Sequence, residues 1–308
     1  MSVVVISHPS CLEHLTPEGH PECPARLEAI HNQLLTSGLE FAVSERDALP
    51  ATDAQLRSVH DTDYLNSLEG MPPARGVRVF GDDIWMSPHT LTAARHAAGA
   101  GAQGVDLIMA GQAQTVFCNV RPPGHHAERN HAMGFCFYNN IAIAARHALD
   151  HYHLQRVAIV DFDIHHGNGT QDIFVDEPRV LFCSSFQHPF YPGTDVTPNR
   201  RHIVNTPLKA TASGPEFRAA VSEHWLPALD AFAPEMLFIS AGFDGHLLDD
   251  MSSTGLVEQD YQWVTQQLRD FMDRHNACRG IVSMLEGGYE LGALGRSVVA
   301  HIKALGKL

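Results

Sequence analysis

The chain repeats one pattern: a short run of apolar, largely β-branched residues, a turn, and then a longer stretch with helical spacing. The apolar runs are Val3–Ile6, Thr115–Cys118, Val157–Asp161, Val180–Ser184, Met236–Ser240 and Ile281–Leu285. Each is apolar at nearly every position rather than at alternate ones, the pattern of strands buried on both faces of a parallel sheet. The helical stretches are Pro24–Thr36, His89–Ala110, Asn139–Tyr152, Pro215–Ala231 and Glu258–Arg274. Strand alternating with helix predicts an α/β fold, a single doubly wound domain over residues 1–308 with a mainly parallel central sheet flanked by helices. No internal repeat, low-complexity tract or Pro/Gly/Ser linker divides the chain.

In open α/β sheets, ligands gather beyond the carboxyl ends of the strands. The residues that follow each run are therefore the ones to read. After Val116–Cys118 comes NVRPPGHHAE, after Val157–Val160 DFDIHHGNG, after Met236–Ser240 AGFDGH, and after Ile281–Leu285 EGGYEL. These strand ends bring His, Asp and Tyr side chains to one rim.

Asp163 and His165 stand two apart at a strand end, so both can point the same way. Their mixed oxygen and nitrogen donors suit zinc or a similar divalent ion, and Asp244 offers a third ligand from another strand end. Singly, each of these residues also suits a turn or a helix cap; it is the set that points to a metal with open positions. The Pro-Pro-Gly segment before His125 and His126 is stiff, and paired imidazoles can act as general acid and base when their partners differ. Asp161 and Asn168 can orient them. Tyr289 can donate to a developing oxyanion, and Gly287 and Gly288 let the backbone pass close to a ligand.

Composition narrows the class. With 44% hydrophobic and 18% charged residues, the chain suits a globular protein with a large core. No apolar run approaches the roughly 18 residues of a membrane span, and no secretory signal is visible at the start, so a cytoplasmic protein with no membrane partner is expected. The six cysteines form no CxxC pair, which fits buried free thiols in a reducing compartment. A net charge of −14 argues against a nucleic-acid partner. A homo-oligomer is compatible with all of this.

The blocks HPECPARLEAI, RPPGHHAERNHAMGFCFYNNIAIAA, VAIVDFDIHHGNGTQ, FYPGTD, ISAGFD and LEGGYEL resemble, in order, the signature blocks of the histone deacetylase and acetylpolyamine amidohydrolase superfamily. They span about residues 8 to 295. Asn168 and the PPGHHA wording are similar to the class II branch and its bacterial relatives. The resemblance implies the arginase/deacetylase-like fold and one zinc per chain held by Asp163, His165 and Asp244. It implies that His126 is the general base, paired with Asn168, and that His125 is its electrostatic or acid neighbour, paired with Asp161. It makes Tyr289 the phenol that polarises the scissile carbonyl. Phe135 with Gly134, and Tyr191 where Phe is usual, match the walls of an acyl-lysine channel. A structural potassium near Asp161, Asp163, His165 and Ser184 is implied as well.

The implied substrate is an acetylated lysine in a protein or peptide, with an acetylated polyamine as the alternative. Polyamine-selective relatives carry an acidic residue several positions after the third metal ligand. Here Met251 falls near that place, just after Asp249 and Asp250, which favours acyl-lysine. Asp82 and Asp83 are rim candidates for gripping substrate. Two other readings are weaker. A dinuclear manganese ureohydrolase lacks its extra carboxylates, and a silent acetyl-lysine binder would be expected to have lost ligands that this chain keeps.

Overall fold

The computed structural model describes residues 3–81, 83–194 and 200–308. Its strands are β1 (Val3–Ser7), β2 (Val43–Asp47), β3 (Arg78–Gly81), β4 (Ile84–Met86), β5 (Thr115–Cys118), β6 (Val157–Asp161), β7 (Val180–Gln187), β8 (Ile203–Leu208), β9 (Leu237–Ala241) and β10 (Ile281–Leu285). The helices are α1 (Ser10–Glu13), α2 (Ala25–Thr36), α3 (Asp53–Arg57), α4 (Thr62–Glu69), α5 (Thr90–Met109), α6 (Asn140–Asp150), α7 (Asn168–Phe174), α8 (Gly214–Ala220), α9 (Leu226–Phe232), α10 (Glu258–Arg274) and α11 (Leu291–Gly306). Eight strands form one sheet in the order β2-β1-β5-β10-β9-β6-β7-β8, while β3 and β4 form a separate hairpin. Every neighbouring pair in the large sheet is parallel. All eight carboxyl ends therefore lie along one edge.

The six expected strands are present. β1 runs one residue further, β7 three residues further, and β9 is displaced by one. Strands β5, β6, β7, β9 and β10 are buried at every position, as their unbroken apolar runs require. Alternate residues in them serve opposite faces. Val116 and Val282 approach Gly104 on α5, whereas their neighbours Phe117 and Ser283 meet His301 on α11. Helices α5 and α6 thus pack on one face, and α2, α11 and α10 pack side by side on the other. The helix expected over Pro215–Ala231 is divided into α8 and α9 by a wider π turn at Val221–Trp225. Pro227 supplies the reason, because it has no N–H to continue the ladder.

The order of the sheet positions the chemistry. The chain lays down β5 and β6 apart from each other and returns at its end to insert β10 and β9 between them. The four strands whose ends carry the candidate residues, β5, β10, β9 and β6, are consecutive neighbours at the centre of the sheet. Among the described residues, no helix is long and apolar enough to cross a membrane.

Candidate active site

Beyond the ends of β6 and β9, Asp163, His165 and Asp244 bring one ligand atom each within 4.8 Å of one another, and all three are buried. His165 Nδ1 lies 3.1 Å from Asp163 Oδ1 and 3.1 Å from Asp244 Oδ2. Backbone N–H groups hold the two carboxylates in place. Gly287 donates to Asp163 Oδ2 at 2.9 Å, and Ile164 to Asp244 Oδ1 at 3.2 Å. A Cβ on Gly287 would stand 2.1 Å from Asp244 Oδ2, and one on Gly242 would stand 2.0 Å from Asp163 Oδ2. The carboxylates occupy the space that any other residue would fill. Two carboxylates and one imidazole placed this way could hold a divalent cation.

The paired histidines follow β5 and receive different partners. His125 Nδ1 lies 2.9 Å from Asp161 Oδ2, while His126 Nδ1 lies 2.7 Å from Asn168 Oδ1. Burial works against charge on His125, but the Asp161 and Asp163 carboxylates hold its pKa well above the usual imidazole value. Burial, with the neighbouring His125 and His165 rings, pushes His126 well below it. The amide of Asn168 is oriented by its own bond, since Nδ2 donates to Glu128 Oε1 at 2.8 Å. Its Oδ1 can only accept, so His126 carries its hydrogen on Nδ1 and keeps a lone pair on Nε2.

These groups open onto a cavity of about 360 Å³ lined by His125, His126, Phe135, His165, Tyr191, Met251 and Tyr289, among others. Gly134, Gly287, Asp83 and Asp250 also line it. Phe135 meets the Tyr289 ring edge-on at 6.0 Å, and Tyr191 meets His126 edge-on at 5.3 Å. The two aromatic walls therefore stand over the expected groups. Phe190, the neighbour of Tyr191, stacks on His165 at 5.4 Å. Burial pushes the Tyr289 phenol well up, so it stays protonated as a donor. Ser184, on β7, pairs with Asp161 in register, and its buried Oγ has no hydrogen-bond partner among the described residues. Of the two rim candidates, Asp83 borders the cavity; Asp82 lies outside the described residues, as does Asp195 of the FYPGTD block.

Several residues that hold the site were not singled out from the sequence. Glu286 directly follows the last residue of β10 and is wholly buried. Its Oε2 accepts from the backbone N–H of Gly124 at 2.7 Å and of His125 at 3.1 Å, and its Oε1 from Ser240 at 3.0 Å. Behind it, Glu22 receives Arg121 through Nε and, at 2.7 Å, through Nη2, with Arg26 Nη1 at 3.2 Å. Arg26 also donates to the carbonyls of Glu286 at 2.5 Å and Gly288 at 2.7 Å, and its guanidinium sits 4.9 Å from the Tyr289 ring centre. Asp249 turns inward, accepting from the N–H of Tyr289 at 2.6 Å and of Glu290 at 3.0 Å; it braces the tyrosine, and the mouth is left to Asp250 and Met251. The available signal for Glu286 was a carboxylate directly after a five-residue run, apolar but for Ser283, at a parallel strand end. For Glu22 it was an acid in a Pro-flanked segment that contributes nothing to capping α2.

A family model described as "Histone deacetylase domain" matches residues 20–305. The chain is 34% identical over 278 residues to a histone deacetylase-like amidohydrolase of Pseudomonas aeruginosa, covering 88% of this chain and 73% of that one. It is 35% identical over 306 residues to the polyamine deacetylase HDAC10 of Mus musculus, covering 94% of this chain and 45% of that protein. Among solved structures, the HDA15 HD domain superposes with a TM-score of 0.91 at 34% identity, covering 99% of this chain and 88% of the other.

The ion pairs around Glu22 generate a prediction. Burial raises a carboxyl pKa, yet Arg121 and His14 outweigh it here and hold Glu22 well below its ordinary 4.5. Its stabilising contribution is then present above pH 4.5 and is lost as the pH falls through the lower folded value. Glu22→Gln strands a buried guanidinium and should cost about 3–5 kcal/mol at neutral pH. Urea unfolding should show that gap narrowing as the pH drops below 4.5. A gap that is constant with pH contradicts the assignment.

Proposed function

The chain belongs to the histone deacetylase family and is a hydrolase acting on amide bonds, and we propose that it removes acetyl groups from the ε-amine of lysine in proteins or peptides with one zinc ion per chain. One observation carries this reading: a histidine with a free Nε2, a phenol donor and the imidazole of an Asp/His/Asp donor set all border the same cavity. Asp163, His165 and Asp244 would hold the zinc, which when bound polarises the acetyl carbonyl and makes water acidic enough to ionise near neutral pH. Phe135 and Tyr191 flank the acyl-amine stem, with Gly134 and Gly287 letting backbone approach it. His126 Nε2 takes the proton of the attacking water. Tyr289 donates to the oxygen that gains charge as the carbonyl carbon becomes tetrahedral. The proton then passes from the histidine pair to the leaving amine, with Asp161 stabilising charge on His125 and Asn168 keeping His126 oriented.

The unpartnered Ser184 Oγ beside Asp161 supports a structural potassium at that strand pair, where an oxygen-rich cation would satisfy it. An acetylated polyamine is the second substrate reading. It is favoured by Asp250 at the cavity beside Met251 and by the relative named a polyamine deacetylase. Among the described residues a single cluster of metal-ligating side chains is found, so a dinuclear ureohydrolase centre has no second ligand set there.

Tyr289→Phe should keep the fold and the metal while lowering kcat on an acetyl-lysine peptide by on the order of 10²–10³; near wild-type turnover removes the phenol from the mechanism. Gly287→Ala drives a methyl group into Asp244. Competition with a chelator should show zinc affinity lowered by roughly 10–100-fold, and unchanged affinity would place the metal elsewhere.

A further inference from the structure

Tyr191 carries a hydroxyl where the family resemblance leads one to expect phenylalanine, and that hydroxyl does not stand free in the channel. It donates to Asp83 Oδ2 at 2.6 Å, and the backbone N–H of Gly134 donates to the same oxygen at 3.0 Å. Asp83 lies on the turn between β3 and β4. A single carboxylate oxygen thus joins three segments far apart in the chain: the hairpin, the Gly134–Phe135 wall and the Tyr191 wall. All of them border the cavity. Tyr191 is 38% exposed and Asp83 half-buried, whereas His125, His126 and the three metal-ligand candidates are buried, so this clasp closes the outer end.

Both bonds fall on Oδ2. Asp83 Oδ1 accepts no hydrogen bond from any described residue and remains available to a ligand. A carboxylate already fixed by two donors accepts a third without first losing rotamer freedom. It also binds a charged or N–H donor more strongly than a neutral acceptor would. With phenylalanine in place of Tyr191, Asp83 would be held by the Gly134 N–H alone.

We propose that the Tyr191 hydroxyl is a positioning group that fixes the Asp83 carboxylate at the channel mouth, so that the pair selects acetylated amines carrying a second N–H or ammonium donor beyond the acetamide. This rests on the amide-hydrolase reading of the cavity. An acetyl-lysine peptide offers the donor as a backbone N–H and an acetylated diamine as a free ammonium; a simple alkyl acetamide offers none.

The test uses the full chain loaded with zinc. Wild type, Tyr191→Phe, Asp83→Asn and the double variant are compared by kcat/KM on an acetyl-lysine peptide, N-acetylputrescine and N-butylacetamide. The preference for a donor-bearing substrate over N-butylacetamide should fall about tenfold in Tyr191→Phe, mainly through KM. It should fall as far in Asp83→Asn and no further in the double variant, because the two residues act as one unit. Any general loss from altered packing cancels in the ratio. A preference unchanged by Tyr191→Phe, or single effects that multiply in the double variant, overturns the proposal. If wild type hydrolyses none of the three substrates, the reading of the cavity falls, and the proposal with it.

Discussion

Two carboxylates buried side by side, with no lysine or arginine against either, set the terms for the rest of this molecule. Asp163 and Asp244 form ion pairs only with imidazoles among the described residues. Removing a charge from water costs several kcal/mol even after relaxation, and like charges add to it. What offsets that cost is local: backbone N–H groups at Gly287, Ile164 and His165, and the His165 ring. Such donors converge only if strands far apart in the chain end together. The all-parallel sheet, with β10 and β9 inserted between β5 and β6, arranges this.

A second set of buried charges holds the frame. Glu22 joins the segment before α2 to Arg121, at the start of the loop that carries the histidines, while Arg26 reaches the carbonyls of Glu286 and Gly288 beside Tyr289. Glu286 in turn ties the backbone of Gly124 and His125 to β10. The histidine pair and the tyrosine, from opposite halves of the chain, are thus fixed relative to each other before any substrate arrives. Donors fixed in advance need not reorganise as charge develops on the substrate, which is where such groups contribute most to rate.

The central strands and the residues at their ends were legible because strands buried on both faces are apolar at every position. That signature fails at the margins. Strand β2, at one edge, has a half-exposed VSERD sequence, β8 at the other edge is only partly buried, and the β3–β4 hairpin is short and partly exposed. Helix α11 escaped a sequence reading because Gly292 and Gly295 lower its helix propensity. Gly295 is there for packing, since a Cβ would stand 3.0 Å from the Ala29 carbonyl on α2. Glu22, Glu286 and Asp249 were harder to read as site residues for another reason. A carboxylate that braces backbone looks, in one dimension, much like one that faces solvent, and the fold shows what each one holds.

The histidine pair shows how little sequence separates two roles. The rings are adjacent in the chain and 4.0 Å apart, yet one is paired with a carboxylate and the other with an amide. A carboxylate stabilises the imidazolium, whereas an amide oxygen stabilises only the N–H it accepts. The Asp161 and Asp163 carboxylates therefore raise the pKa of His125, whereas burial and the neighbouring rings lower that of His126. Exchanging Asn168 for a carboxylate would give both rings the same kind of partner and remove the asymmetry. The neutral amide at position 168 keeps Nε2 of His126 free to accept a proton, and Glu128, by fixing which end of that amide faces the ring, completes the assignment.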